Sequence, residues 1–174
     1  VNALSRWMRT EVCRDKTKYA QEYSKGKPKT AVKKISSCKQ SGTTVTFEPD
    51  PEIFKDVKFD IKSILNHLRQ QSYLTKGARI TVLDEREEDK KSYGFYFEGG
   101  LGSYIKYLTR GITPRHQNIF YAQGEKEDIL VEAAFQYTEE FESYEEGFAN
   151  NIHTGEEGTH LTGFRTALTR TLND

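Results

Sequence analysis

The strongest constraint on the fold is the alternation of paired strand-forming runs with three helical stripes along the chain. Each pair has β-branched and aromatic residues on both sides of a polar turn, which predicts an antiparallel hairpin. The predicted hairpins join residues 7–12 to 19–23, 80–82 to 93–97, and 119–122 to 129–137. Extended structure is also predicted at residues 31–35, 43–47 and 148–152.

The helical stripes repeat apolar residues every three or four positions. The first starts at Ile61 and Ile64, directly after the typical N-cap residue Asp60, and Gly77 stands where a left-handed C-terminal cap belongs. Its predicted span is 61–75. The other two helices are predicted over 101–108 and from about residue 159 onward. Together with the hairpins they predict an α+β fold.

Composition argues against a chain that spans a membrane. The 174 residues carry 26 Lys and Arg against 26 Asp and Glu, and no run reaches the roughly 18 apolar residues that a span requires. No charged and apolar leader opens the chain. We therefore expect a cytoplasmic protein without a membrane partner. Because the chain starts at Val1 in what resembles the middle of a helix, we expect it to be a piece of something longer.

The two cysteines, Cys13 and Cys38, are too few for a disulfide scaffold. They also lack the spacing of a zinc site. We expect two free thiols, as is usual in a reducing cytoplasm.

Charge is distributed unevenly along the chain. Residues 1–100 carry a net charge of +6 and residues 101–174 a net charge of −6. Five lysines lie close together in the first part: Lys25, Lys27, Lys29, Lys33 and Lys34. Such a cluster fits either a solvated strand edge that resists pairing with other chains or a surface that meets phosphate.

Three groups of residues resemble functional sites but fit them poorly. The glycines of residues 99–102 lack the pattern of a P-loop or a dinucleotide site, so we expect a linking turn. His153 and His160 have no third ligand at motif spacing, and no metal is expected there. The glutamates Glu139, Glu140, Glu142, Glu145 and Glu146 fit a solvated strand edge or loop better than a pair of acid and base carboxylates.

Short strings in a fixed order carry a family resemblance over essentially the whole chain. They are VNALS, SGTTVTF, PDPEIF, YFEGGL, NIFY, FANNIHT, EEGTHL and GFRTALTRTLND. As a set they resemble the B subunits of bacterial DNA gyrase and of its topoisomerase IV counterpart. This chain departs from the family at Glu157-Gly158, where most members have two glycines, and at Thr138-Glu139, where many have Asn-Asp.

The resemblance implies two domains. Residues 1–99 would be the C-terminal part of a GHKL ATPase domain, a mixed sheet with helices on one face. Residues 100–174 would be the N-terminal part of the transducer domain, an α+β domain similar to ribosomal-protein folds. The charge of the chain changes sign at the same place.

The implied activity is that of an ATP-driven type II topoisomerase, which passes one DNA segment through another. The intact protein would use ATP and Mg²⁺, and its partners would be DNA, an A-type cleavage subunit and a second copy that joins through the ATPase domain on ATP binding. The family's catalytic, metal-binding and phosphate-binding residues match no position between Val1 and Asp174. We therefore expect no catalytic residue, no metal ligand, no bound cofactor and no hydrolysis from this chain alone.

Thr43 matches the family threonine that, with an upstream aspartate and a bound water, hydrogen-bonds the adenine. A hydroxyl both donates and accepts, which suits a water-bridged purine edge. Gly42 would let the backbone approach the ring, and Val45, on the same side of the strand as Thr43, would form an apolar floor. On the residues alone, Thr43 would be an ordinary strand former.

Two more residues are implied at the edges of the nucleotide site. Asn2 lies in the segment that resembles the helix after the family's lid glycines, whose N-terminal end faces the triphosphate. Ordinary helix surface is the alternative for Asn2. Arg14 matches an arginine at the rim of the pocket, where inhibitors that compete with ATP reach. Its alternative is a surface arginine paired with a neighbouring carboxylate.

Arg165, in the last predicted helix, matches an arginine that lines the family's DNA cavity. Such a contact would be electrostatic and independent of DNA sequence. The alternative is a salt bridge to Glu156 or another local carboxylate. The net charge of −6 over residues 101–174 restricts any DNA contact to a local one.

Two other functions are compatible with the same residues. One is a non-catalytic αβ module that binds protein or nucleic acid, because a fold does not fix a function. The other is the related GHKL family of DNA-repair ATPases. An upstream Glu, Asn, Asp and glycine lid, followed by a downstream DNA-cleavage core, would distinguish the topoisomerase from both.

Overall fold

The computed structural model describes residues 1–155 and 158–173. These residues divide into two compact units, Val1–Phe59 and the described part of the chain from Asp60 onward. None of the helices in the described ranges has both the length and the apolar character that a bilayer crossing requires.

The first unit is an antiparallel sheet. Its strands are β1 (Ser5–Arg14), β2 (Thr17–Ser24), β3 (Lys27–Pro28), β4 (Lys33–Ser37) and β5 (Gly42–Pro49), after a 3-10 turn at Asn2–Leu4. Strand β1 lies between β2 and β5, and both short strands pair with β2. The predicted first hairpin is confirmed. It turns through Asp15 and Lys16, both at positive φ, as a two-residue hairpin turn of this kind requires.

Asp50 anchors the end of this sheet and is only 3% exposed. Its backbone N–H donates to the Leu4 carbonyl at 3.0 Å, and its Oδ1 accepts the N–H of Glu52 at 3.1 Å. Its Oδ2 lies 3.2 Å from Nζ of Lys25. The Glu52 N–H and then Lys25 hold the pKa of the Asp50 carboxyl below its ordinary value. One residue thus ties together the segment before β1, through its backbone, and the β2–β3 turn and the segment after β5, through its side chain.

The expectation of free thiols is wrong, because Cys13 and Cys38 form a disulfide with Cα atoms 6.1 Å apart. Cys13 lies near the end of β1, and the N–H of Cys38 donates to the carbonyl of Lys16 in the β1–β2 turn at 3.0 Å. Strand β2 pairs with β1 on one side and with β4 on the other, so β4 returns the chain to this turn. The two cysteines meet through strand pairing, which their spacing along the sequence does not reveal.

The second unit alternates helices with small hairpins. Its elements are α1 (Ile61–Leu74), β6 (Ile80–Asp84), β7 (Lys91–Phe95), α2 (Gly100–Leu108), β8 (Phe120–Lys126), β9 (Ile129–Phe135), β10 (Phe148–Ala149), β11 (Ile152–His153) and α3 (Thr159–Asn173). The three predicted helices and the two other predicted hairpins are confirmed, and with them the α+β class. Asp60 caps α1 as predicted, since its carboxylate accepts the N–H of Lys62 at 3.0 Å.

The prediction of a single strand over 148–152 is wrong. The segment is a tight hairpin, in which Phe148 pairs with His153 and Ala149 with Ile152. It turns through Asn150 and Asn151, at φ of 48° and 64°. Asparagine tolerates this left-handed conformation better than most residues, and the prediction overlooked the Asn-Asn pair as a turn signal.

Aromatic rings form the centre of the second unit. Tyr73 of α1 stacks on Phe97 with ring centroids 3.8 Å apart and on Tyr104 of α2 at 5.0 Å. Tyr73 and Tyr104 are only 5% and 7% exposed. Helices α1 and α2 therefore pack together, although the domain boundary predicted from the sequence, between residues 99 and 100, lies between them. That boundary stays a prediction.

We expect the disulfide to stabilise the first unit. Replacing both cysteines, Cys13→Ser with Cys38→Ser, should lower the free energy of unfolding by about 3 kcal/mol, the scale for closing a loop of roughly this length. Urea unfolding with and without a dithiol reductant measures it, and the reductant should change the wild type alone. Alkylation of the unfolded, unreduced chain should add no mass. Two additions would contradict the disulfide.

We also expect acid to weaken the Asp50 anchor. Because the folded pKa of Asp50 lies below the ordinary 3.8, its carboxylate stabilises the fold above that pH, and the contribution is lost as the pH falls through the folded value. The melting temperatures of wild type and Asp50→Asn should therefore differ at neutral pH and converge below about pH 4. Circular dichroism melts measure this, with Asp56→Asn as the exposed control. A difference that does not change with pH would contradict the assignment.

Candidate functional site

The residues assigned to the adenine pocket lie along the pairing of β1 with β5. In this register Val12 pairs with Thr43, Thr10 with Val45 and Cys13 with Gly42. Directly paired residues share a face of the sheet, and so do residues two apart on one strand. Thr43, Val45 and Arg14 therefore lie on one face, whereas Gly42, which pairs with Cys13, occupies a position of the opposite face at the same end. The structure brings three predicted side chains together on one face, with the backbone of Gly42 next to Thr43.

This face is accessible on β5. Thr43 and Gly42 are exposed, and Val45 is 50% exposed. A Cβ added to Gly42 would meet no atom within 4 Å, and the backbone there is not in the left-handed region. The fold of the described residues thus places no demand for glycine at position 42.

Arg14 extends from the end of β1 into solvent. Its side chain is 82% exposed, and its Nε lies 3.8 Å from Oδ2 of Asp15, which is 93% exposed. The neighbouring carboxylate of the alternative interpretation is present, but an ion pair at that distance and exposure contributes little. The guanidinium can therefore exchange Asp15 for another anion or for an aromatic ring.

The opposite face of the same strands carries a charged network that the sequence did not predict. Arg9 contacts Glu11 at 2.8 Å and Glu22 at 3.1 Å, and Lys18 contacts Glu11 at 3.1 Å. Lys18 and then Arg9 lower the pKa of the Glu11 carboxyl. These charges neutralise one another, whereas the Thr43 face presents hydroxyl and apolar groups. The two faces therefore suit different ligands.

Asn2 does not join this group. It lies before β1, at the end where Ser5 pairs with Pro49, and Ser5 is seven residues from Val12 along the strand, roughly 24 Å. Its Nδ2 donates to the Gly26 carbonyl at 3.4 Å. Its Oδ1 is buried without a hydrogen-bond partner among the described residues. The assignment of Asn2 to the triphosphate thus rests on the family resemblance alone.

The lysine cluster lies largely on the short strands at one edge of the sheet. Lys27 is on β3, Lys33 and Lys34 are on β4, and all three are exposed. The predicted strand-edge placement is confirmed for these residues. Lys25 instead contacts Glu52 at 2.6 Å and Asp50 at 3.2 Å. Phosphate binding by the cluster stays a prediction.

Arg165 lies on α3, and its Nε donates to Oε2 of Glu145 at 2.8 Å. The two side chains are 42% and 40% exposed. This is the local salt bridge of the alternative interpretation, formed with Glu145, while Glu156 lies outside the described residues. Because both groups remain partly exposed, solvent or a phosphate can still reach the guanidinium.

Glu146 was not predicted as a structural residue. Its Oε2 accepts hydrogen bonds from Tyr104 Oη at 2.5 Å and Gln70 Nε2 at 3.4 Å, and its Oε1 accepts one from Tyr144 Oη. Burial and then this hydrogen bond raise the pKa of Tyr104, and the bond to Glu146 raises that of Tyr144 to about 12. The expectation of a solvated edge is wrong for Glu146. Two of its partners, Tyr104 and Gln70, lie 42 and 76 residues away, so local sequence carries no signal of them.

The glycines of residues 99–102 and the histidine His160 have structural roles. Gly99 lies in a turn, as expected, but Gly100 and Gly102 belong to α2, so the expectation of a linking turn over residues 99–102 is wrong for these two glycines. Nε2 of His160 lies 3.2 Å from the Thr154 hydroxyl. Within residues 1–155 and 158–173, no three His, Cys, Asp or Glu side chains are grouped so that they could hold a metal ion.

Comparison with known proteins gives a consistent picture. A family model described as DNA gyrase B matches residues 100–174. The chain is 42% identical over 178 residues to the DNA gyrase B subunit of Synechocystis sp., covering 99% of this chain and 16% of that protein. Identity to the DNA gyrase B subunit of Thermotoga maritima is 40%, with all of this chain and 28% of that protein covered. The chain thus spans well under half the length of these relatives.

Solved structures agree with these matches. The 43K ATPase domain of Thermus thermophilus gyrase B, solved with an aminocoumarin, superposes with a TM-score of 0.88 at 33% identity, covering 99% of this chain and 47% of that chain. The B subunit of Myxococcus xanthus DNA gyrase superposes with a TM-score of 0.84 at 22% identity, covering 95% of this chain and 48% of that chain, which supports the fold.

Proposed function

Because this chain belongs to the DNA gyrase B family, we propose that it acts as part of the ATP-binding B subunit of a bacterial type II DNA topoisomerase. In such a protein ATP drives the passage of one DNA segment through another. The observation that carries the proposal is 40–42% identity to gyrase B subunits along essentially the whole chain. The names of these relatives favour gyrase over topoisomerase IV.

The chain's part in ATP binding is to supply one wall of the adenine pocket. The Thr43 hydroxyl bonds the purine edge directly or through water, and Val45 supports the ring. Gly42, the neighbour of Thr43, lets the backbone come close to the ring. Arg14 closes the rim. This proposal is supported by the face that Thr43, Val45 and Arg14 share, on which all three residues are exposed.

The remaining chemistry of ATP lies with groups that this chain does not supply. The described residues offer no cluster of ligands for Mg²⁺, so no step here is assigned to the ion. Asn2 is proposed near the triphosphate on the resemblance alone. The division into an ATPase part, residues 1–99, and a transducer part, residues 100–174, is supported by the family model, whose match begins at residue 100.

DNA, an A-type cleavage subunit and a second copy of the ATP-binding subunit are the proposed partners. The cytoplasm is the proposed location on the ground of the family alone, because the Cys13–Cys38 disulfide removes the argument from free thiols. Arg165 is the proposed local contact with DNA. The alternatives, a non-catalytic binding module and a GHKL repair ATPase, receive less support because the relatives named above are gyrase subunits. ATP-dependent strand passage by the full-length protein with its cleavage partner tests the proposal. A full-length protein that hydrolyses ATP but passes no DNA would contradict it.

Thr43→Ala should weaken ATP binding by the full-length protein. We expect a loss of about 1 kcal/mol, the scale of one hydrogen bond whose partner is stranded, with little change in melting temperature. Calorimetric titration with a non-hydrolysable analogue measures the affinity. Thr44→Ala, next along β5 but on the opposite face, is the matched control. Unchanged affinity with a lower melting temperature would make Thr43 a structural strand residue.

Arg165→Glu should separate two activities of the full-length protein. Basal ATP hydrolysis should survive, while DNA-stimulated hydrolysis and strand passage fall because a carboxylate would face the phosphate backbone. The loss should shrink at higher salt. Arg170→Glu, five residues further on and on a different side of α3, is the control. Full DNA stimulation in Arg165→Glu would contradict the DNA contact and favour a structural role such as the salt bridge to Glu145.

A further inference from the structure

Two adjacent carboxylates of the second unit bind different helices. Glu145 holds Arg165 of α3 at 2.8 Å. Glu146 holds Tyr104 of α2 at 2.5 Å and reaches Gln70 of α1 at 3.4 Å. We call residues 144–151, which contain both carboxylates, the strap. Because neighbouring residues share a peptide bond, a shift of Glu146 displaces Glu145 as well.

The strap contacts α1 a second time at its other end. The carbonyl of Asn151 accepts a hydrogen bond from Gln71 Nε2 at 2.8 Å, and its Nδ2 donates to Oγ1 of Thr75 at 3.2 Å. These contacts fall on the last turn of α1 and on its C-cap. Both ends of the strap thus contact the C-terminal part of α1, Glu146 at one end and Asn151 at the other.

One of the hydrogen bonds that hold Glu146 comes from a rigidly placed group, the Tyr104 hydroxyl. Tyr104 is 7% exposed and its ring stacks on Tyr73 of α1, so its hydroxyl has little freedom. The described donors to Glu146 are neutral, which makes each bond modest in strength. These bonds hold Glu146 in one position relative to α1 and α2. Because they are modest in strength, a small displacement of either helix is enough to move Glu146.

We propose that Glu146 is a positioning residue that sets how Glu145 holds Arg165, so that the placement of α1 controls the access of Arg165 to a DNA phosphate. This inference rests on the proposed function and names the regulation of its DNA contact. A displacement of α1 moves the strap, loosens or tightens the Glu145–Arg165 pair, and changes the affinity for duplex DNA. ATP bound elsewhere in the full-length protein changes the affinity for duplex DNA in this way only if its binding displaces α1.

The test measures duplex affinity of the full-length protein with and without a non-hydrolysable ATP analogue. The ratio of the two affinities is the coupling, and linkage requires the same ratio in analogue affinity with and without DNA. Tyr104→Phe removes one hydroxyl and keeps the ring, and Glu146→Gln removes the charge. Both should bring the ratio at least about threefold closer to one, within the scale expected of coupling networks. The double variant should add little to either change.

Glu142→Gln is the matched control, since it removes a carboxylate from the same acidic run that has no hydrogen bond or ion pair within the described residues. It should keep the wild-type ratio. The affinity for the analogue without DNA and the melting temperature show whether each variant is folded. If Glu146→Gln does not fold, the inference is judged on Tyr104→Phe. The inference is overturned, and the proposed function is not, if the wild type has a ratio of one or if Tyr104→Phe keeps the ratio of the wild type. A wild type that binds neither DNA nor the analogue overturns the proposed function as well.

Discussion

The pairing of β1 with a strand on each side is the constraint on which the first unit depends. Strand β5 and strand β2 both take their register from β1. This register puts Thr43 and Val45 on one face and the Arg9–Glu11 network on the other. A slip of one residue would exchange the two faces and destroy the candidate pocket. The Asp50 anchor and the disulfide hold opposite ends of this arrangement, next to Leu4 and next to Arg14.

The second unit depends in a similar way on the stacking of Tyr73 with Phe97 and Tyr104. Stacked rings bury a large apolar area and also orient the tyrosine hydroxyl. That orientation gives Glu146 a fixed donor, and Glu146 in turn lies beside the partner of Arg165. A packing interaction between two helices thus determines where a surface cation is held. The position of Arg165 at the surface therefore depends on how Tyr73 and Tyr104 pack in the core.

Local sequence predicted the elements whose causes are local. The cap at Asp60, the apolar stripe of α1 and the polar hairpin turns each depend on residues a few positions apart, and all are confirmed. The disulfide, the Asp50 anchor and the Glu146 cluster were missed because each depends on strands or helices far apart in sequence. The pocket residues came from family motifs. Their common face followed only once the β1–β5 register was known.

The ion pair of Arg165 is compatible with a role in DNA binding for an energetic reason. A pair between two side chains about 40% exposed is screened by water and contributes little net free energy. A DNA phosphate can therefore displace Glu145 at small cost, while the surrounding net charge of −6 repels DNA from the rest of residues 101–174. The contact that remains is local and responds to salt. Because Glu145 and a phosphate compete for Arg165 with a small difference in free energy, a slight shift of the neighbouring Glu146 is enough to change the outcome.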